Sequence, residues 1–408
     1  LLRHIVFIPG YDLRRPSFLQ SVMAEEAEAM GRIRGVDAEL AGFADGQGPG
    51  GASATWSGRA AWPEGETRTV FHLLGWRDLA KRDFQRSWPK RMLGAFASFA
   101  GFARSGGYID SFRRHWPNGI FHVYPVILLL IYLMLLCAPA VMLEPVRGAM
   151  DSAGLPELVA WPVWLAGWGI WAFTVHGLSR LVEPSTYFWY LVNDWHAIRQ
   201  LAFDRDPDMT GRIAQFASEI LRVEREAGAD DDILLCAHSS GTFVFILALA
   251  RALEHKPDLG VSRGGIALAT LGSAFGYIGG YHAGGAFERA VARVGAAPGI
   301  DWSDIYVPQD ALCCGRANPV ADYGRRWSET PMLAPRSYSG RAPDALGRDR
   351  FNRLRWRFFA LHFCYFFASQ REDTFDFHRL TLGPNPAREM LVAWAPERDR
   401  QRAVVMPE

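Results

Sequence analysis

The chain is short of several things. Only five cysteines are spread over 408 residues, and no C-x-x-C pair occurs among them. Cys313 and Cys314 are adjacent, which is poor geometry for a mutual bridge. A zinc ribbon, a dithiol redox centre and a disulfide scaffold all lose support, and reduced thiols in a cytosol-facing protein are expected. Charge of one sign is lacking too. Lys and Arg number 44 against 43 Asp and Glu, without the basic excess of a dedicated nucleic-acid binder. No metal-ligand spacing and no phosphate-cradling glycine pattern can be picked out, so neither metal nor cofactor is expected. The glycines at 279–280 and 284–285 read as a flexible loop near a site mouth. Before Leu1–Gly10, which reads as a buried strand, there is neither a basic leader nor a small-residue cleavage site, so no signal peptide is expected.

Hydrophobic residues, by contrast, make up 49% of the chain, enough for a large core. Val123–Leu143 contains no charged residue. As a helix rising 1.5 Å per residue it reaches roughly 30 Å, the thickness of a bilayer core. Pro125 fits its first turn, and Pro139 is expected to kink or end it. A second apolar run, Leu158–Leu178, lies between Glu157 and Arg180. The connection Glu144–Glu157 is short and mildly acidic. Before the first run stand Arg77, Lys81, Arg82, Arg86, Lys90, Arg91, Arg104, Arg113 and Arg114; after the second come Arg180 and Arg199. Positive residues favour the cytoplasmic side, so a two-span hairpin with both flanks inside is predicted. Buried core helices are the competing reading. Trp161, Trp164, Trp168 and Trp171 share one helix face and suit helix packing or an interfacial anchor. Met92–Ala103 is too short to span; it fits a membrane-surface helix or a core helix equally.

Near residue 233 the pattern changes. Ile233–Cys236 is a short apolar run, Ala237-His238-Ser239-Ser240-Gly241 a small-residue turn, and Thr242–Leu253 a buried helix ended by Lys256-Pro257. Strand, tight turn and helix are the setting of a nucleophile elbow, which lifts a serine hydroxyl above a sheet edge. Ala237 stands where glycine is usual and is still small. Ser239 is the predicted nucleophile and Ser240 the rival. The Ser240 amide, at the helix N-terminus, is a predicted oxyanion donor.

An activated serine needs a histidine base and an acid to orient it. After Ser239, His362 and His378 are the candidate bases; His362 is preferred because His378 reads as part of a closing helix. For the acid, Asp301–Val307 reads as a strand and Pro308-Gln309-Asp310 leaves it. A carboxylate just past a parallel strand sits where function gathers. Asp310 is therefore chosen over Asp304, inside the strand, and Asp322. A second oxyanion amide is sought after the early strand His4–Ile8, at Tyr11 or Gly10. A further strand is read at Gly265–Thr270.

The segments IVFIPGYD, LLCAHSSGT, IALATLGS, VPQDAL and LHFCYF resemble the α/β-hydrolase superfamily, in particular its bacterial membrane-associated members. The resemblance implies a mostly parallel sheet with helices on both faces, interrupted by a two-helix transmembrane hairpin. It also implies a Ser239, Asp310, His362 triad. On this reading 1–118 and 184–408 form the hydrolase domain and 119–183 the hairpin, with about Asp45 to Asp206 outside the minimal fold. Hydrolysis of an acyl ester, with lipid origin favoured, is expected at the inner membrane with the catalytic domain toward the cytoplasm. The partners are then that ester and the bilayer, and no nucleic acid. An acyltransferase or thioesterase using the same triad, and a catalytically inactive membrane scaffold, remain open.

Overall fold

The computed structural model describes residues 1–46, 53–154, 156–315 and 317–408. Leu155, in the predicted inter-span connection, lies outside them.

The protein is mixed α/β. Ten strands are present among the described residues: β1 (Leu2–Ile8), β2 (Asp37–Asp45), β3 (Ala54–Trp62), β4 (Gly65–Leu73), β5 (Asp232–His238), β6 (Ile266–Leu271), β7 (Ile300–Tyr306), β8 (Met332–Leu333), β9 (Arg336–Ser339) and β10 (Val404–Val405). Eight of them form one sheet in the order β2-β3-β4-β1-β5-β6-β7-β9; β8 and β10 form a separate pair. The run from β4 to β9 is parallel, while β2-β3 and β3-β4 are antiparallel.

Why the central strands are apolar on both faces follows from this position. In β5, Leu235 and Ala237 join one core cluster while Leu234 and Cys236 join the other. β1 splits the same way, with Val6 and Ile8 on one face and Ile5 and Phe7 on the other. A parallel strand covered on both sides reads as a continuous apolar run, as these do. At their N-terminal ends, buried Arg3 donates to Asp232 Oδ2 at 2.6 Å and to the Leu380 carbonyl at 2.8 Å. That ties β1 and β5 to the helix Phe377–Leu382.

The four strand regions predicted around the site are all strands, within two residues at each end. β3 and β4 lie inside the stretch from about Asp45 to Asp206, and β4 pairs directly with β1, so part of that stretch belongs to the main sheet. Their turn is legible as Pro63-Glu64-Gly65, between alternating buried and exposed residues in β3. In the glycine-rich segment Gly279 and Gly280 are buried rather than in an open loop, and a Cβ on Gly279 would come within 2.5 Å of the Tyr323 ring. Tyr277, in the same short helix Phe275–Gly279, lines the cavity described below.

Among the described residues, two helices are long and apolar enough to cross a membrane. The first, Trp116–Val141, begins before the predicted run and is followed by Leu143–Ser152. Pro139 lies just ahead of the break at Met142. The second is Glu157–Leu181. Only 11% of each apolar window is buried against the rest of the protein. Leu158, Phe173 and Val141 are 87%, 80% and 74% exposed. Covering a Leu or Phe side chain is worth about 1.5–3 kcal/mol, so a water-exposed hairpin would forgo that at many positions. This pattern does not fit core helices. The tryptophan face packs on the first helix: Trp168 and Trp171 donate their indole N–H groups to the Leu136 and Leu135 carbonyls at 2.8 and 2.7 Å. Part of the basic flank is used inside the protein. Arg82 pairs with Asp206 and Asp208, each at 2.6 Å, and Arg77 donates to the Leu13 carbonyl at 2.6 Å. Met92–Ala103 lies within the helix Trp88–Arg104, with Met92, Ala95, Phe99 and Phe102 buried and Leu93 and Phe96 exposed.

Candidate active site

β1, β5, β6 and β7 run parallel, so their carboxyl ends reach the same sheet edge. Ser239 follows β5 directly and precedes the helix Gly241–His255. Its φ is +59°, in the left-handed region that non-glycine residues rarely occupy. A backbone held there stores strain of order 1–3 kcal/mol and persists because its surroundings fix it. Here the Ser239 amide donates to the Leu271 carbonyl at 3.0 Å, and the Ser239 carbonyl accepts from the Thr242 amide at 3.0 Å.

Two glycines explain the crowding around this turn. A Cβ on Gly241 would lie 2.4 Å from the Ile8 carbonyl oxygen and 2.5 Å from that of Pro9. A Cβ on Gly10 would lie 2.9 Å from Ser239 Cβ and 3.2 Å from its Oγ. The loop leaving β1 therefore runs against the serine. The Tyr11 amide, however, donates to Ser240 Oγ at 2.8 Å. In this state it is committed to that hydroxyl. It reaches a substrate oxygen only if the Ser240 side chain rotates away.

Asp310 and His362 are brought together. The His362 Nδ1–H donates to Asp310 Oδ2 at 2.7 Å, with both side chains buried. A carboxylate only accepts, so in the neutral ring the proton sits on Nδ1 and Nε2 keeps its lone pair. Nε2 makes no hydrogen bond, so the Ser239 hydroxyl is not closed onto it in this structure. Catalytic hydrogen bonds are often open until substrate arrives. Asp310 is fixed further by the Leu312 amide on Oδ1 at 3.0 Å and the Tyr365 hydroxyl on Oδ2 at 3.0 Å. The Tyr365 oxygen in turn accepts from the Val307 amide at 3.1 Å, which locks the acid to the end of β7. The long interval between Asp310 and His362 is filled partly by β9, which extends the sheet beyond β7.

The alternative assignments are used elsewhere. His378 is buried in the helix Phe377–Leu382 and donates through Nε2 to the Phe366 carbonyl at 2.8 Å. Asp304 accepts from the hydroxyls of Thr270 and Ser273 inside the sheet, at 2.6 and 3.3 Å. Burial pushes its carboxyl up to about 7. Asp322 pairs with Arg114.

Ser239, Ser240 and His362 line one cavity of about 500 Å³, whose walls are mainly apolar and aromatic and include Phe121, Tyr187 and Phe359. That suits a small apolar ligand or an acyl chain.

Three residues escaped the sequence reading. His238, in the elbow itself, is buried and donates through Nε2 to the His362 carbonyl at 2.8 Å. Its ring lies 4.5 Å from that of His362. Burial, reinforced by His362, holds it well below the usual histidine range, so it stays neutral. Tyr365 stands three residues after His362, a spacing that could have suggested a shared partner. Asp194 lines the same cavity from the helix Phe188–Ala202, and its Oδ1 has no partner. Burial, with the Asp83 charge nearby, pushes it up to about 8, so it is largely protonated at neutral pH. No local pattern marks either His238 or Asp194.

Comparison with known protein families, with characterised proteins and with solved structures gives no match.

Proposed function

We propose that the chain is a membrane-anchored serine hydrolase of the α/β-hydrolase type that cleaves acyl esters. The observation that carries this reading is one arrangement. Ser239, in a left-handed turn between strand and helix, shares a cavity with a histidine whose Nδ1–H is bound to a buried aspartate.

On this reading, His362 Nε2 takes the hydroxyl proton as Ser239 Oγ attacks the ester carbonyl carbon. Asp310 holds the ring in the required tautomer and stabilises the imidazolium. The Ser240 amide, with that of Gly10 or a released Tyr11, holds the developing oxyanion; each such donor is typically worth 10²–10³ in rate. The intermediate collapses, the alcohol leaves with the proton from Nε2, and an acyl-serine remains. Water, activated by the same histidine, then releases the acid. The apolar cavity supports an acyl chain as the bound portion. The two exposed apolar helices support a bilayer anchor at the inner membrane, with both flanks on the cytoplasmic side. Together they favour an acyl ester of lipid origin.

The test is hydrolysis of acyl esters by the full chain in detergent. Ser239→Ala should lower kcat by at least ~10³-fold without loss of folding. Unchanged turnover in that variant sinks the reading. Adding an alcohol acceptor and measuring ester product separates hydrolysis from acyl transfer.

A further inference from the structure

Between β9 and His362 the chain presents Arg355-Trp356-Arg357-Phe358, four consecutive exposed residues alternating cation and aromatic. Trp356 is 74% exposed and Phe358 48%. The Arg355 guanidinium lies 5.4 Å over the Trp356 ring, so cation and aromatics form one exposed amphipathic patch, the kind of surface that marks an interaction site. Arg353 is exposed as well, and among the described residues no carboxylate pairs with Arg353, Arg355 or Arg357.

The next residue fixes where this segment lies. The Phe359 ring stacks on Tyr187 at 3.7 Å and meets Phe121 edge-on at 6.0 Å. Phe121 belongs to the first apolar helix, near its start, and Tyr187 follows shortly after the second. The exposed segment is thus pinned beside the ends of the two helices that enter and leave the bilayer on the same side. Phe121, Tyr187 and Phe359 also line the Ser239 cavity, and Tyr187 and Phe359 are only half-buried, so the cavity wall reaches the surface here.

We propose that Arg353–Phe358 is an interfacial anchor that seats on an anionic lipid surface and holds the Phe121–Tyr187–Phe359 side of the cavity at headgroup level. Trp356 and Phe358 enter the boundary between headgroups and acyl chains, the depth that amphipathic aromatics prefer. Arg353, Arg355 and Arg357 meet lipid phosphates, an attraction that grows with anionic lipid content. Substrate then reaches Ser239 from the leaflet rather than from water. This rests on the membrane reading of the two apolar helices, but not on the chemistry of Ser239.

The experiment places a nitroxide on the full chain in lipid nanodiscs. Cys137 is exposed and the other four cysteines are buried, so a Cys137→Ser background leaves a single introduced site. Trp356→Cys reports the segment; Phe173→Cys reports the second apolar helix. Collision with oxygen, enriched in lipid, is compared with collision with a water-soluble nickel chelate. The expected result is oxygen-dominated relaxation at both sites in discs with about a third phosphatidylglycerol. At position 356 the ratio should fall several-fold in discs of phosphatidylcholine alone, and likewise when Arg353, Arg355 and Arg357 are all changed to Gln. A lipid-like Phe173 site with a water-like Trp356 site overturns the anchor and leaves the spans intact. A Trp356 site shielded from both reagents whatever the lipid points to a protein contact and also overturns it. Two water-like sites remove the membrane reading and the anchor together.

Discussion

Replacing His238 by Phe tests whether the elbow holds the base in place. The substitution keeps an aromatic ring of similar size against His362, Phe363 and Phe366, but removes the Nε2–H that the His362 carbonyl accepts at 2.8 Å. A buried carbonyl left without its donor costs about 1–3 kcal/mol. For a chain of this size that lowers Tm by only a few degrees, so the protein should stay folded. The larger effect is positional. The His362 backbone loses its tie to the residue next to the nucleophile, and a base displaced by about 1 Å can lose ~10²-fold in rate. We expect kcat to fall ~10–100-fold with KM little changed. His238→Gln, whose amide can donate to the same carbonyl, should recover most of the loss. Because His238 is neutral in the fold, it brings no charge of its own to the pH dependence, and both variants should keep the wild-type pH profile. Turnover of a short-chain ester across pH, read beside thermal unfolding, is the assay. Wild-type turnover in folded His238→Phe refutes the positioning role. Equal losses in the Phe and Gln variants refute the hydrogen bond as its cause.

Other expectations follow from the same geometry. Tyr365→Phe removes a donor from Asp310 Oδ2 and loosens the carboxylate that orients the imidazole; kcat should drop roughly 10-fold, as steady-state turnover of an acyl ester will show. Ser240→Ala takes away the acceptor that occupies the Tyr11 amide, so activity should stay within ~10-fold of wild type; a loss of ~10³-fold would mean the Ser240 hydroxyl itself serves the oxyanion. Asp194 carries its proton in the fold up to about pH 8 but sheds it near the ordinary carboxyl pKa when unfolded. Its contribution is therefore full below that lower value and is lost as pH rises toward 8. Asp194→Asn should flatten the stability decline over that window, measurable by denaturant unfolding at pH 5 and pH 8.

The central strands and the elbow were legible because they obey local rules. Ile233–Cys236 is a two-sided apolar strand, and Ala237, Gly241 and Gly10 are small where backbones nearly touch. Asp310 could be chosen because a strand ends just before it, and His362 because its rival sits in a helix. β4 was missed because it is held by long-range pairing to β1, across a helix and two strands, and β3 because it joins the sheet only through β2 and β4. His238 read only as a variable elbow position, since its partner is a backbone carbonyl far along the chain. Asp194 carries no local signal in the sequence; only packing turns it toward the cavity. The apolar helices were plain in sequence, yet their exposed faces separate a hairpin from a core.

The most direct test of the account is covalent. The folded full-length chain, incubated with a fluorophosphonate and digested, should carry one adduct on Ser239. Labelling should vanish in Ser239→Ala and slow by at least ~10²-fold in His362→Ala, where the base is lost. A folded protein that takes no label, or takes it on another serine, contradicts the claim that Ser239 is an activated nucleophile.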